Sequence, residues 1–306
     1  MLIIGENIHI IAPPVKAAVE ARDSRFIQDL ALRQVEAGAD ILDLNIGPQK
    51  KLGHEVMPWI VEAVQAVTDV PLSLDTTNLA AMEAGLKVCS QPAMLNSASA
   101  DPARLDSVMG LAARYGARVI ALTMGVDGIP TTADGRVAIA MEALLPAAEA
   151  AGLPVADVFL DPLVLTVTCN QDVANESVEA IRMFKMVADP PPTTTVGLSN
   201  ISNGCPPETR PLINRTMLAM LMGAGLDSAI ADPLDSVQND WIRIVEQRDE
   251  STPLGRLVIA LADSVAAMEE LDAALVDQGD PEQVAVYKTY RMLRNETIYA
   301  DSFLRI

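Results

Sequence analysis

Short apolar segments alternate with longer segments of helical periodicity along most of the chain. The short segments are continuous and apolar, which is typical of strands that are buried on both faces of a parallel sheet. They predict eight strands, at Leu2–Gly5, Ile41–Asn45, Pro71–Leu74, Ala93–Leu95, Val119–Thr123, Val158–Leu160, Thr194–Leu198 and Ser228–Ala231.

Helices are predicted between these strands, and three of them end at a glycine, which is a common helix stop signal. They span Asp23–Ala37, Val56–Val67, Thr77–Leu86, Pro102–Tyr115, Arg136–Ala151, Val178–Ala188 and Leu212–Ala224. Eight consecutive strand-then-helix units predict an α/β fold, a closed (β/α)8 TIM barrel. A doubly wound sheet is disfavoured, because the first turn reads GENIH and lacks the glycine-rich phosphate-binding pattern.

The pattern changes after residue 232, where helices are predicted at Trp241–Glu246, Leu254–Val276 and Pro281–Arg294. We interpret residues 233–295 as the eighth helix of the barrel, enlarged by a helical insertion near the C-terminus. No linker rich in Gly and Ser separates this part from the rest of the chain. We therefore predict a single domain over residues 1–306.

Polar residues follow the ends of four predicted strands, at Asp75, Asn96, Asp161 and Asn200. In a (β/α)8 barrel these ends converge at one mouth, where active sites are built. Two carboxyl groups and an amide from the first three positions suit a ligand with a row of N–H donors beside a carbonyl, such as an aminopyrimidinone ring. The alternative is helix capping, since Asp75 stands just before a predicted helix.

Charge and composition narrow the choice of partners. The 306 residues carry a formal net charge of -19, which argues against nucleic acids and anionic membranes as partners. The N-terminus lacks a basic leader region, and the longest apolar runs are far shorter than the roughly 20 residues of a membrane-spanning helix. We expect a soluble, cytoplasmic protein whose partners are small molecules or other proteins.

Metal and disulfide sites are not indicated. The three cysteines are odd in number and widely separated, and the two histidines, His9 and His54, have no metal-ligating residue at a suitable spacing. We therefore expect no protein-bound metal.

Several motifs at the strand ends resemble those of the pterin-binding barrels, a superfamily that includes dihydropteroate synthase and the folate module of cobalamin-dependent methionine synthase. Within it, the chain resembles most the methyltetrahydrofolate:corrinoid/iron–sulfur protein methyltransferases. The motifs are MLIIGENI (1–8), ILDLNIGP (41–48), LDTTN (74–78), MLNS (94–97), ALTM (121–124), LDPL (160–163), GLSN (197–200), RPLINRT (210–216), DSAIAD (227–232) and YADSF (299–303).

The resemblance implies roles for individual residues. It implies that Asp75, Asn96 and Asp161 bind the pterin ring, with Gly197 and Ser199 as further pterin contacts. It also implies that Asn200 lies near N5 of the pterin and is the catalytic residue. For the folate tail, which carries carboxylates, we expect contacts from the group Lys185, Asn203 and Arg210, although ordinary surface positions are an equally good interpretation.

The function implied is transfer of the N5 methyl group between methyltetrahydrofolate and the cobalt of a corrinoid (cobalamin) carried by another protein, such as a corrinoid/iron–sulfur protein. This is a reaction of one-carbon metabolism. The family suggests a homodimer, for which the apolar helix Leu254–Ala262 is a candidate interface. The GLSN motif lacks the basic pair of dihydropteroate synthase, which disfavours the condensation with loss of pyrophosphate.

Two alternatives stay open at this point. The first is the component that methylates tetrahydrofolate in a corrinoid-dependent O- or N-demethylase system, and the second is a non-catalytic module that binds a pterin or a corrinoid. The length of the insertion at 233–295 also leaves the identity of the partner protein open.

Overall fold

The structure, a computed structural model, describes residues 1–305. Within these residues eight parallel strands form one sheet, in which strands that follow each other along the chain also lie side by side. The strands are β1 (Leu2–His9), β2 (Ile41–Asn45), β3 (Leu72–Asp75), β4 (Met94–Ser99), β5 (Arg118–Leu122), β6 (Val158–Asp161), β7 (Thr193–Thr194) and β8 (Ser228–Ala231).

The sheet closes on itself because β8 pairs with β1 on one side and approaches the chain just after β7 on the other. The backbone N–H of Ile230 donates to the carbonyl of Val196 at 2.8 Å, and Gly197 forms an isolated parallel bridge with Ile230. The Ser228 hydroxyl donates to the carbonyl of Thr194 at 3.0 Å. The predicted (β/α)8 barrel is therefore confirmed.

Helices cover the outside of the barrel. They are α1 (Pro13–Ala21), α2 (Ser24–Glu36), α3 (Gly53–Gln65), α4 (Leu79–Leu86), α5 (Pro102–Tyr115), α6 (Ala133–Ile139), α7 (Leu145–Ala151), α8 (Val167–Asn170), α9 (Ala174–Phe184), α10 (Arg210–Gly223), α11 (Ser236–Gln247), α12 (Pro253–Ala267) and α13 (Pro281–Leu293). Across residues 1–305 no helix is both long enough and apolar enough to cross a membrane.

Several elements differ from the sequence prediction. Helix α1 was not predicted. Its two prolines occupy the first helical positions, where a missing backbone N–H costs nothing. Strand β1 continues past Gly5 to His9, because Ile8 and His9 still pair with β2 after an irregularity in register. Strand β7 is only two residues long, and the chain after it turns into a 3-10 helix at Leu198–Ser202.

Helix α12 also ends earlier than predicted, at Ala267 instead of Val276. Met268 takes a left-handed conformation with φ 59°, and its N–H caps the carbonyls of the last helical turn. The apolar pattern misled the prediction because Leu271 and Val276, which follow the helix, are buried in the core from irregular backbone.

The three helices after β8 pack on α10. The apolar face of α12 is covered there, with Leu257, Val258 and Leu261 at most 2% exposed. The expectation that this segment supplies a dimer interface is therefore corrected: its apolar side chains stabilise the protomer itself.

Helices α10 and α12 approach so closely at Gly223 that a side chain is excluded. A Cβ atom there would lie 2.2 Å from the carbonyl oxygen of Ala262, a backbone atom that cannot swing away. We predict that Gly223→Ala lowers the free energy of unfolding by at least about 1 kcal/mol, because overpacking separates the helices. Gly110→Ala on α5 is the matched control, since nothing lies within 4 Å of its Cβ position. Helix propensity should make that variant more stable, and denaturant unfolding that ranks the two the other way round would contradict the packing argument.

Candidate functional site

Two layers of side chains fill the barrel interior. The lower layer is apolar and contains Ile4, Ile41, Met94, Ile120 and Phe159, with Leu122 and Ile230 packed against it. Side chains two residues apart lie on the same face of a strand. The next inward positions therefore follow two residues later on several strands, and they are polar: Glu6, Asp43, Asn96, Asp161 and Asp232.

This polar layer lies at the bottom of a cavity of about 790 Å³ at the carboxyl ends of the strands. Eight of the nine residues expected to form the site line it: Asp75, Asn96, Asp161, Gly197, Ser199, Asn200, Asn203 and Arg210. They come from β3, β4, β6, the segment between β7 and α10, and the first residue of α10, Arg210. The structure thus brings together residues that are far apart in the sequence.

Lys185 is the exception. Its ammonium group pairs with Asp227, which immediately precedes β8, and contacts the carbonyl of Pro192 just before β7. Both partners lie at the amino ends of the strands, on the opposite side of the barrel from the cavity. The expectation that Lys185 contacts a folate tail is therefore wrong, because the residue follows helix α9, whose C-terminus points away from the mouth.

Asp43 and Asp75 form a coupled pair of carboxyl groups on β2 and β3. Asp43 is buried and accepts hydrogen bonds from the Ser73 hydroxyl at 2.6 Å and the Asn96 amide at 3.2 Å. Asp75 accepts one from the Asn45 amide. Burial and the nearby negative charge of Asp43 raise the pKa of Asp75, and burial also raises that of Asp43. The pair therefore holds a proton readily, and a ligand that supplies N–H donors would favour the ionised form, with loss of that proton to solvent.

Asp161 provides the acceptor on β6. It is only 5% exposed, and the backbone N–H of Leu163 donates to its carboxylate at 2.7 Å. Burial raises the pKa of Asp161 to about 7, although the Leu163 hydrogen bond and the positive charge of the buried Arg136 oppose that rise. Arg136 is itself held by the carbonyl of Pro130 at 3.1 Å and the Ser177 hydroxyl at 2.9 Å.

Asn200 lies on the 3-10 helix that follows Gly197. Its side-chain oxygen accepts from the Asn203 amide at 3.2 Å, and Arg210 contacts the Asn203 oxygen at 3.4 Å. A Cβ on residue 197 would lie 2.9 Å from the Asn200 side-chain nitrogen, so Gly197 makes room for that amide. Among these contacts the Asn200 side-chain nitrogen has no protein acceptor, and Asn200 is one of the residues that line the cavity.

Sequence reasoning missed Glu6, Asn7 and Asp232 in the cavity wall. The Ser199 hydroxyl donates to Glu6 at 2.6 Å, and the Asn7 amide donates to Asp232 at 3.0 Å. Burial raises the pKa of Glu6 to about 7. The available signal was positional, because Glu6 and Asp232 come two residues after the inward-facing Ile4 and Ile230. Both residues also stand directly after a predicted strand, Leu2–Gly5 and Ser228–Ala231, but the prediction named only the polar residues that follow four other strands.

Asp43 and Asn45 were also missed, although they lie within the predicted second strand. Both line the cavity together with His9, whose pKa is lowered by burial. Among residues 1–305 no group of three or more His, Cys, Asp and Glu side chains is arranged to hold a metal ion. The cavity offers carboxyl and amide groups both on its β2–β6 side and on its β7–β1 side, and the β7–β1 side adds the Ser199 hydroxyl and the Arg210 guanidinium group.

Comparison with known protein families identifies the family to which the chain belongs. The sequence profile of a family described as pterin-binding enzymes matches residues 17–232. The chain belongs to the pterin-binding enzyme family. The resemblance read from the strand-end motifs is thereby confirmed at the level of this superfamily, and the match ends where the additional helices α11–α13 begin.

Two curated relatives are similar over most of the barrel. A methylcorrinoid:tetrahydrofolate methyltransferase of Eubacterium limosum is 32% identical over 238 residues, which cover 76% of this chain and 85% of that protein. A methionine synthase of Mycobacterium tuberculosis is 31% identical over 240 residues, which cover 75% of this chain. The chain spans only 20% of that methionine synthase, so the likeness there is to one part of a larger protein.

Solved structures confirm the architecture of this pterin-binding enzyme. A dihydropteroate synthase from Thermus thermophilus superposes with a TM-score of 0.57 over 81% of this chain and 92% of its own, at 22% identity. A dihydropteroate synthase from Yersinia pestis gives a TM-score of 0.56 at 19% identity, over 81% of this chain and 94% of its own. At these identities the likeness establishes the fold alone.

Proposed function

We propose that this protein is a methyltransferase that moves the N5 methyl group between methyltetrahydrofolate and the cobalt of a corrinoid carried by a partner protein. The observation that carries the proposal is the placement of Asp75, Asn96 and Asp161 in one cavity with Asn200. The family membership supports a pterin as the ligand. The relative from Eubacterium limosum, which matches over 85% of its own length, supports methyl transfer as the reaction.

The pterin ring presents adjacent N–H donors and a carbonyl along one edge. Asp75 and Asp161 supply acceptors for such donors, and the Asn96 amide supplies both a donor and an acceptor. Because Asp161 is buried and Asp75 and Asn96 are half-buried at the bottom of the cavity, each unpaired donor or acceptor would be costly, which makes the site selective for a ring with the matching edge. Gly197 and Ser199 form part of the wall beside the ring.

Asn200 is the group proposed to act on the reacting nitrogen. A tertiary amine is a poor leaving group, so N5 must gain positive charge before the methyl group is displaced. The Asn200 amide can donate to neutral N5 or accept from protonated N5, since it carries both kinds of hydrogen-bonding atom. It can therefore stabilise the charge that develops as the methyl group leaves.

The folate tail is proposed to leave the cavity past Asn203 and Arg210. Arg210 carries a guanidinium group in the cavity wall and is held by the Ser202 hydroxyl at 3.2 Å. A fixed guanidinium group pairs well with the carboxylates of the tail. With Lys185 excluded by its position, these two residues are the remaining candidates from the sequence.

The partner is proposed to be a corrinoid protein that docks over the mouth of the barrel, because the transferred methyl group must reach a cobalt atom outside this chain. We also propose that the protein forms a homodimer and lies in the cytoplasm. Sedimentation velocity of the purified protein would decide the oligomeric state, and a monomer at micromolar concentration would remove the dimer.

A second candidate function differs from the first in the direction of methyl transfer. The name of the Eubacterium limosum protein describes transfer from a methylcorrinoid to tetrahydrofolate, which favours the alternative in which this chain methylates tetrahydrofolate. Both directions use the same site by microscopic reversibility, so the arrangement of residues serves either.

The proposal is tested with purified protein, methyltetrahydrofolate and free cob(I)alamin, whose conversion to methylcobalamin is followed by its visible spectrum. Methylcobalamin with tetrahydrofolate tests the reverse direction in the same way. Saturable transfer in at least one direction, with calorimetric binding of the folate substrate, is the expected result. Binding of neither folate would overturn the proposal, and binding without transfer to free or protein-held corrinoid would favour the non-catalytic pterin-binding module.

A further inference from the structure

Methyl transfer moves a proton as well as a methyl group, and the residues discussed so far do not account for it. When the methyl group leaves N5, its carbon bonds to cobalt through the electron pair of the reduced corrinoid. The electron pair of the broken N5–CH3 bond stays on N5, which must then bind one proton to become the N–H of tetrahydrofolate. The reverse reaction releases that proton. An amide such as Asn200 can stabilise the charge but can neither supply nor keep the proton.

We propose that Glu6 is the acid–base group of this reaction: its carboxyl group gives a proton to N5 when the methyl group leaves and takes it back in the reverse direction. This inference rests on the proposed function. Glu6 lines the same cavity as Asn200. It is fixed by the Ser199 hydroxyl at 2.6 Å, and Ser199 is the residue directly before Asn200. The carboxyl group is thereby tied to the segment that carries the amide proposed to contact N5.

The surroundings of Glu6 keep its carboxyl group able to hold a proton near neutral pH. Burial is the main cause of its raised pKa of about 7, and the charges of Asp232 on the β8 side and Asp43 on β2 raise it further. The Ser199 hydrogen bond and the guanidinium group of Arg210 oppose the rise. A general acid works best when its pKa lies near the working pH, because both protonation states are then accessible.

The other carboxyl groups in the cavity are less suited to this task. Asp75 and Asp161 lie on the β3 and β6 side, where they are proposed to bind the ring edge, and Asp161 is fixed by the backbone N–H of Leu163. Asp232 accepts from Asn7 and from the backbone N–H of Leu234 at 2.9 Å, both on one carboxylate oxygen, so these contacts join it to β1 and to the chain after β8 and not to the Asn200 segment. Glu6 is the carboxyl group joined by a hydrogen bond to the Asn200 segment.

The test uses Glu6→Gln, which keeps the shape and the hydrogen bond from Ser199 but cannot titrate. Single-turnover transfer from saturating methyltetrahydrofolate to free cob(I)alamin is measured from about pH 5.5 to about 8.5, a range that brackets the titration of Glu6. In the wild type the rate should fall as the pH rises across neutrality, because a smaller fraction of Glu6 is then protonated. In Glu6→Gln the rate should be lower by about tenfold to 10² at low pH and lose this dependence. Calorimetry should show methyltetrahydrofolate affinity within a few-fold of wild type.

Ser199→Ala provides a second variant with a different signature. Its hydroxyl stabilises the ionised form of Glu6, so its removal should raise the pKa of Glu6 and shift the fall in rate to higher pH. A purely structural role for Glu6 predicts no such shift. Glu20→Gln is the matched control, since Glu20 is an exposed residue of α1 far from the cavity, with a side chain 68% exposed.

The outcomes separate this inference from the proposed function. If the wild type binds methyltetrahydrofolate and transfers methyl groups but Glu6→Gln keeps the wild-type pH dependence, only the role of Glu6 is overturned. A rate that falls in proportion to affinity in Glu6→Gln would likewise make it a binding residue. If circular dichroism shows that Glu6→Gln does not fold, the pH dependence of the rate in Ser199→Ala tests the role of Glu6. A pH dependence that does not shift in that variant overturns the role. A wild type that binds no folate overturns the proposed function and this inference together.

Discussion

Replacing Asn200 with alanine should slow methyl transfer by about 10²–10³ while weakening the binding of methyltetrahydrofolate much less. The reason is that the hydrogen bond to N5 strengthens only as charge develops on that atom, so its loss affects the transition state more than the bound substrate. The measurement is single-turnover transfer to free cob(I)alamin, compared with calorimetric affinity for the same variant. Free cobalamin makes the assay independent of the partner protein.

Two further variants sharpen this prediction. Gly197→Ala should reproduce much of the rate loss, because the new Cβ would lie 2.9 Å from the Asn200 side-chain nitrogen and displace the amide without removing it. Asn200→Asp retains an acceptor but loses the donor, so it shows which of the two the reaction needs. A rate that falls only in proportion to affinity in Asn200→Ala would identify a binding residue, and an unchanged rate would remove Asn200 from the site.

Replacing Asp161 or Asp75 with alanine should weaken pterin binding by roughly 1–3 kcal/mol each, because ring donors would be left unpaired in a buried site. The binding of the wild type should also depend on pH. Burial holds the pKa of free Asp161 at about 7, and N–H donors from the ligand favour the ionised form. Affinity should therefore rise as the pH increases toward 7, with release of a proton, and Asp161→Asn should lose that component.

Titration calorimetry in buffers of different ionisation enthalpy measures both the affinity and the proton release. Asp106→Ala on α5 is a suitable control, because Asp106 is exposed and lies outside the cavity. Unchanged affinity in both Asp75→Ala and Asp161→Ala would mean that the ligand binds elsewhere. An affinity that falls as the pH rises toward 7 would mean that the neutral acids, as donors, bind the ligand.

The barrel itself could be predicted from the sequence because its signal is local. A strand buried on both faces needs a continuous apolar run, and a covering helix needs an apolar stripe, so the order of the elements is readable residue by residue. The bounds of β7 and α12 were less predictable. Residues such as Leu271 are buried by tertiary packing from irregular backbone, and hydrophobicity alone does not distinguish such a segment from a helix.

The site was predictable only in part, for a geometric reason. Asp75, Asn96, Asp161 and Asn200 follow strand ends, and parallel strand ends must meet at one mouth of a barrel. Glu6 directly follows the predicted first strand, Leu2–Gly5, but β1 in the structure continues beyond it to His9. Its place in the cavity depends on which side chains of β1 face inward, which in turn depends on the register between β1 and its neighbours β2 and β8.

Periodicity along the chain thus predicted the order of the strands and of most helices, and it placed four polar residues, Asp75, Asn96, Asp161 and Asn200, at the mouth of the barrel. Tertiary structure alone decided that Lys185 lies at the far end of the barrel, paired with Asp227. It also decided that Glu6, Asp43 and Asp161 have raised pKa values. Desolvation and the energy between charges depend on burial and distance in space, and neither quantity is defined until the chain has closed the barrel around these residues.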